Sequence, residues 1–312
     1  MYNILNKYKR SIFLLVKLLI VSGAFYFLYQ RITNNENLLI DQFLEQVSIL
    51  FSKGFLVIII LLLFTDTNWL LEIFKWKKLA LIEKKITFFD AYKQCFASLT
   101  ASIITPNRIG EYGAKALYFE KRIRKKIMLL NLIGNLSQLT ITILFGILGF
   151  FFLVKVYSYQ FPEINILKTF LIILIPVIIY IFRNKLKLYK IESYLKSISM
   201  KVYLETIALS FLKYVIFSHQ FIFLLRIFSV EIDYFTALNL LFCMYFMASI
   251  IPSIAIFDWA IKGSIAVWLF SFADVNEITI ITITVIMWML NFAFPAIIGS
   301  IFVLNFKLEK RE

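Results

Sequence analysis

The chain alternates long apolar runs with short segments rich in lysine and arginine. The runs over 12–29, 55–74, 127–155, 164–182, 202–225 and 278–305 are each long enough for one α-helix to cross a hydrocarbon core. Pro176 predicts a kink in the fourth. Two further stretches, 88–119 and 233–272, are interrupted. The first reads ASLTASIITPNRIGEYGAK over 97–115. Pro106 has no N–H and pushes the residue before it toward an extended form, while Gly110 and Gly113 allow a turn or a close approach. This pattern predicts a re-entrant hairpin, helix in and helix out with a break near Pro106–Gly110. Irregular backbone at membrane depth is tolerated only where it is buried in protein or lines a wet cavity. The second stretch breaks at Pro252 and predicts a second hairpin.

The two hairpins repeat one another. At an offset of 146 residues Ile86, Phe89, Ala91, Phe96, Ile104 and Pro106 match Ile232, Phe235, Ala237, Phe242, Ile250 and Pro252. After the proline the offset is 147, and Glu111 and Lys115 match Asp258 and Lys262. Each copy therefore has a proline, then an acid, then a lysine four residues after the acid.

Composition fixes the class. With 61% hydrophobic residues, 34 Phe and 16 Tyr, the 312-residue chain reads as a polytopic membrane protein. In a soluble domain its formal net charge of +14 would suggest nucleic acid. Here the basic residues sit between apolar runs, so the charge reads as topology, with anionic lipid headgroups as neighbours and no nucleic-acid partner. Placing the N-terminus in the cytoplasm puts every basic segment on that side: the N-terminus, 75–85, 121–126, 183–201 and 307–311. The segments 31–53, 155–163, 226–233 and 273–277 fall outside. Both termini are then cytoplasmic, and 183–201 suits an amphipathic interfacial helix. The expected fold is an all-α polytopic membrane protein of about six crossing helices plus two re-entrant hairpins in an inverted-topology repeat. The whole of 1–312 forms one transmembrane domain, with unit 1 over 55–155 and unit 2 over 203–305. The charge rule is equally satisfied if both hairpins span fully. The first run has no small-residue cleavage site and is expected to be retained. Two cysteines, Cys95 and Cys243, exclude a disulfide framework and on this topology would not pair.

Charges inside the apolar stretches are the candidate chemistry, because each costs at least ~2.5–3.5 kcal/mol on insertion scales. Arg108 at the break could hold a phosphate in a two-pronged grip, helped by free N–H groups at the start of the following helix, or could be an ordinary topology charge. Glu111 and Lys115, at i and i+4, form either a structural pair or part of a site. Asp258 and Lys262 mirror them. Asn131, Asn135, Gln138 and Thr142 share one helical face, suited to helix packing or to lining a pathway. Glu277, Thr284 and Asn291 form a thinner version in the last span. Asp66 is expected to pair with a lysine inside the bundle. The lone His219 reads as a hydrogen-bonded packing residue. No Walker loop, zinc-type ligand cluster or nucleophile elbow occurs, so no cofactor, metal or catalytic residue is expected.

The segments TPNRIGEYGAKAL (105–117) and IPSIAIFDWAIKGSIAVWLF (251–270) resemble the lysylphosphatidylglycerol synthase transmembrane-region family, also called flippase-like domains. The second turn, Ser253–Ile256, lacks the glycines usual there. The resemblance implies a cell-membrane protein of lipid translocation or lipid-linked metabolism. The chain ends a few residues after its last span, so the aminoacyl-transferase domain carried by some members is not expected. The leading expectation is a protein that binds or translocates an anionic lipid or lipid-linked intermediate, with Arg108 and Lys115 on the phosphate and Glu111 and Asp258 balancing charge. Lys262, Asn131, Asn135 and Gln138 complete the expected substrate-binding set. The alternatives are a membrane-embedded lipid or glycan transferase using Asp41 and Glu45 on a mobile loop, and an accessory subunit. A homo-oligomer or a lipid-synthesis partner would be compatible with the polar face of the third span.

Overall fold

The computed structural model describes residues 40–103, 105–157, 188–251 and 258–306. The expected first and fourth spans and Pro252 lie outside the described residues. Every regular element described is helical: α1 (Ile40–Ser52), α2 (Phe55–Ala80), α3 (Phe88–Ser102), α4 (Gly110–Leu117), α5 (Arg124–Tyr157), α6 (Leu188–Ser197), α7 (Met200–Ile227), α8 (Tyr234–Ile250), α9 (Asp258–Phe270), α10 (Glu277–Trp288) and α11 (Phe294–Leu304). A π-turn, Met289–Ala293, joins α10 to α11 as one continuous helix. Four described helices are long and apolar enough to cross a membrane: α2, α5, α7 and this composite helix. Among the described residues the fold is thus all-helical and consistent with a membrane protein. Its outward faces are apolar, as the exposure of Phe55, Leu56, Leu63, Phe151 and Ile301 illustrates.

Local chemistry explains where the short helices start and stop. Thr87 opens α3 with a capping box: its hydroxyl accepts from the Asp90 N–H while the Asp90 carboxylate accepts from the Thr87 N–H. Asp233 caps α8 in the same way, accepting from the Thr236 N–H. Helix α8 ends at Ile250, and Ile251 is extended, as expected of a residue before proline. Pro295, inside the composite helix, cannot donate to the carbonyl four residues back; the π-turn precedes it, with the Phe294 N–H bonded to the Met289 carbonyl.

The helices pack in a reciprocal pattern. Helix α2 lies along α7, α3 along α11, and α8 along α5. The two latter crossings are close because glycines make them so. A Cβ on Gly299 would stand 2.1 Å from the Phe96 carbonyl oxygen, and one on Gly149 would stand 2.6 Å from that of Asn239. At one end of the bundle, α6 docks through Tyr194 and Leu195, with Ile198 just after it, beside a belt of ion pairs, Lys78–Glu205, Lys84–Glu120 and Lys126–Glu83. The bonds from Lys84 and Arg122 hold the Glu120 carboxyl below its ordinary range.

Three expectations are corrected here. Residues 40–52 form a helix rather than a mobile loop, with Leu50 buried against the core. Lys75 is not a surface topology charge: α2 runs on to Ala80, and Lys75 is only 3% exposed. Asp66 is exposed, and the acid that meets lysine is Glu72.

Candidate functional site

The first hairpin places Arg108. After α3, Thr105 closes the break with its hydroxyl, donating to the Ser102 carbonyl at 2.9 Å and accepting from the Gly110 N–H at 3.0 Å. Gly110 is needed because a Cβ there would stand 2.9 Å from both the Ala101 carbonyl oxygen and the Thr105 methyl. Asn107 and Arg108 both take left-handed backbone, φ 47° and 57°. Such non-glycine residues cost on the order of 1–3 kcal/mol each and persist where surroundings hold them, often at functional sites. The free N–H groups expected at the start of α4 are already used: Gly110 bonds Thr105, Glu111 bonds the Arg108 carbonyl and Tyr112 that of Ile109. An anion here would depend on side chains.

Arg108 faces a cavity of about 380 Å³ walled by α2, α5, α7, α8, α9, the composite last helix and both hairpins. That volume lies in the range of small-molecule sites. Three ion clusters reach its wall, the second with one member, Lys115, behind it. In the first, Glu72 accepts from Lys75 at 2.9 Å and from Lys213 of α7. In the second, Glu111 meets Arg108 at 3.2 Å and Lys115 at 2.7 Å. In the third, Lys262 donates to Asp258 at 2.6 Å. These clusters hold five cationic side chains against three carboxylates, a formal surplus of two positive charges. The remaining wall has polar residues, Asn68, Asn135, Gln138, Thr142, Thr284 and Asn291, and apolar ones, Leu99, Phe217, Phe221, Met244 and Phe292.

The expected residues divide. Arg108, Glu111, Asp258, Lys262, Asn135 and Gln138 reach the cavity wall. Lys115 and Asn131 do not. Lys115 is 1% exposed, donates to Glu111 and, at 2.8 Å, to the side-chain amide oxygen Oδ1 of Asn131, and lies 4.5 Å over the Trp76 ring. It holds Glu111 from behind. Pro106 and Gly110 sit in the break as expected. Gly113 serves no close approach, since a Cβ there would meet nothing. His219 bonds the Val215 carbonyl and the Tyr234 hydroxyl, a packing role. Cys95 and Cys243 are both buried free thiols.

The cluster around Glu72 was missed, and so was a polar chain beside it. Asn68 donates to the side-chain amide oxygen of Asn291, Asn291 donates to that of Gln220, and Gln220 donates to the Thr65 hydroxyl. This chain ties α2, α7 and the π-turn together. The signal was present: Asn68, Glu72 and Lys75 fall at i, i+4 and i+7 on one face of α2, the same rule that exposes Asn131–Thr142 on α5.

Comparison of the chain with family models, with curated proteins and with solved structures gave no match. The family resemblance is therefore carried by the two hairpin motifs alone.

Proposed function

We propose that this is a flippase-like protein of the cell membrane that binds or translocates an anionic lipid or lipid-linked intermediate through the cavity between its two hairpins. The observation that carries this reading is the cavity itself, partly apolar and partly polar, with more cations than carboxylates on its wall. A surplus cation at membrane depth is costly, and an anionic headgroup would repay that cost while its chain lies on the apolar part. The two-sided wall fits an inverted-topology repeat with both termini cytoplasmic. The caps Thr87 and Asp233 stand 146 residues apart, and the pairs Asn135 and Thr284, and Thr142 and Asn291, stand 149 apart, the latter four all on the cavity wall. The first helix of each hairpin packs on the last helix of the other unit, α3 on α11 and α8 on α5. Alternating exposure would then come from one unit rocking against the other. Membership of the lysylphosphatidylglycerol synthase transmembrane-region family is part of this proposal. Glu45, needed for the transferase alternative, is exposed and does not line the cavity.

The test is Arg108. Its side chain is 43% exposed and has one ion-pair contact, with Glu111, which leaves donors for a headgroup. Arg108→Lys keeps the charge but not the planar fork. The expected outcome is normal insertion with leaflet exchange of anionic lipid in liposomes reduced roughly tenfold to a hundredfold, the equivalent of about 1.5–3 kcal/mol from one charge-assisted hydrogen bond. Wild-type exchange in Arg108→Lys would remove Arg108 from the site.

A further inference from the structure

We propose that the headgroup this cavity takes is a phosphate monoester in its dianionic form, in preference to a phosphodiester carrying one negative charge. The inference rests on the anionic-ligand reading above and narrows it.

Charge balance carries the argument. The Glu72 cluster has one carboxylate and two amines, and the Glu111 cluster one carboxylate, one guanidinium and one amine. Each holds one surplus positive charge. The Asp258–Lys262 cluster holds none. A monoanion would leave one cation uncompensated inside the protein, where charge is weakly screened; a dianion leaves none. Leu99, Phe217, Phe221 and Phe292 on the same wall give an attached hydrocarbon chain a place to lie, which favours a lipid-borne monoester over free phosphate.

Binding to the purified full chain in detergent is read by the fluorescence of its tryptophans, three of which line the cavity. The probes are short-chain phosphatidic acid (a monoester), short-chain phosphatidylglycerol (a diester) and inorganic phosphate. At about pH 7.5 phosphatidic acid is expected to bind at least ~10-fold more tightly than phosphatidylglycerol. The second proton of a phosphate monoester has a pKa of about 6, so at about pH 5 this preference should disappear. The groups facing the ligand are Glu72, Lys75, Arg108, Glu111, Lys213, Tyr214, Tyr245, Asp258 and Lys262. Phosphatidylglycerol reports any titration of these, because such a change would act on both lipids. Lys213→Met, which removes one surplus charge, should bring the two affinities to within about twofold, and Glu72→Gln, which adds one, should preserve the preference. The wild-type pH series needs no variant to fold. Equal affinities for both lipids at both pH values would overturn the dianion assignment and leave the anionic-lipid reading standing. Inorganic phosphate binding as tightly as phosphatidic acid would support the dianion site and overturn its lipid source. Binding by none of the probes would overturn both.

Discussion

Lys115 and Gly299 illustrate how single residues are fixed by what stands beside them. Gly299 has no room for a side chain, with the Phe96 carbonyl oxygen 2.1 Å from where a Cβ would be, whereas around Gly113 there is nothing within 4 Å. Gly299→Ala should therefore force α11 from α3 and lower stability by about 1–3 kcal/mol, while Gly113→Ala, in an open helical position, should gain up to about 1 kcal/mol. Thermal unfolding in detergent separates the two, and equal effects would mean that α3 and α11 do not approach as described. The same reasoning explains why Lys115 could be located from the sequence while its enclosure could not. Its i, i+4 spacing from Glu111 is local and visible; its enclosure by Trp76 and Asn131 depends on where α2 and α5 come to lie.

Among the elements, the four long apolar helices were legible because run length is a local property that the bilayer thickness sets directly. The break between α3 and α4 was legible because proline leaves a local mark. The π-turn was not: it depends on how Pro295 is absorbed within a helix that otherwise continues. Nor was the Glu72–Lys213 pair, whose partners lie 141 residues apart. The π-turn presents Asn291 to both α2 and α7, bonded to Asn68 at 3.0 Å and Gln220 at 2.8 Å. Removing Asn291 strands both neighbours, so Asn291→Leu should cost about 1–3 kcal/mol. The double variant Asn68→Leu/Asn291→Leu should cost less than the sum of the single changes, with a coupling of about 0.5–2 kcal/mol. Additive costs in the denaturation midpoints would show that the two amides do not act as a pair.

For the whole molecule, the charge distribution predicts sidedness. Lys125, Lys190, Glu45 and Glu231 are all exposed, whereas the native Cys95 and Cys243 are buried. Single cysteines at 125 and 190 should react with an impermeant thiol reagent only from the cytoplasm, those at 45 and 231 only from outside, and the native thiols should stay silent. Labelling of 190 and 231 from one side would mean that α7 does not cross and that the repeats are not inverted. The enclosure of Lys115 also bears on how the chain is made. Glu111, Trp76 and Asn131 all belong to the first half, and Glu72 has Lys75 beside it one turn away, whereas Lys213 comes with α7. As the ribosome delivers the chain, the two cavity carboxylates of the first half, Glu72 and Glu111, each meet a cation from their own half. A half-made protein thus carries neither of them unpaired into the lipid, and the lysine that completes the cavity arrives only when α7 is threaded behind it.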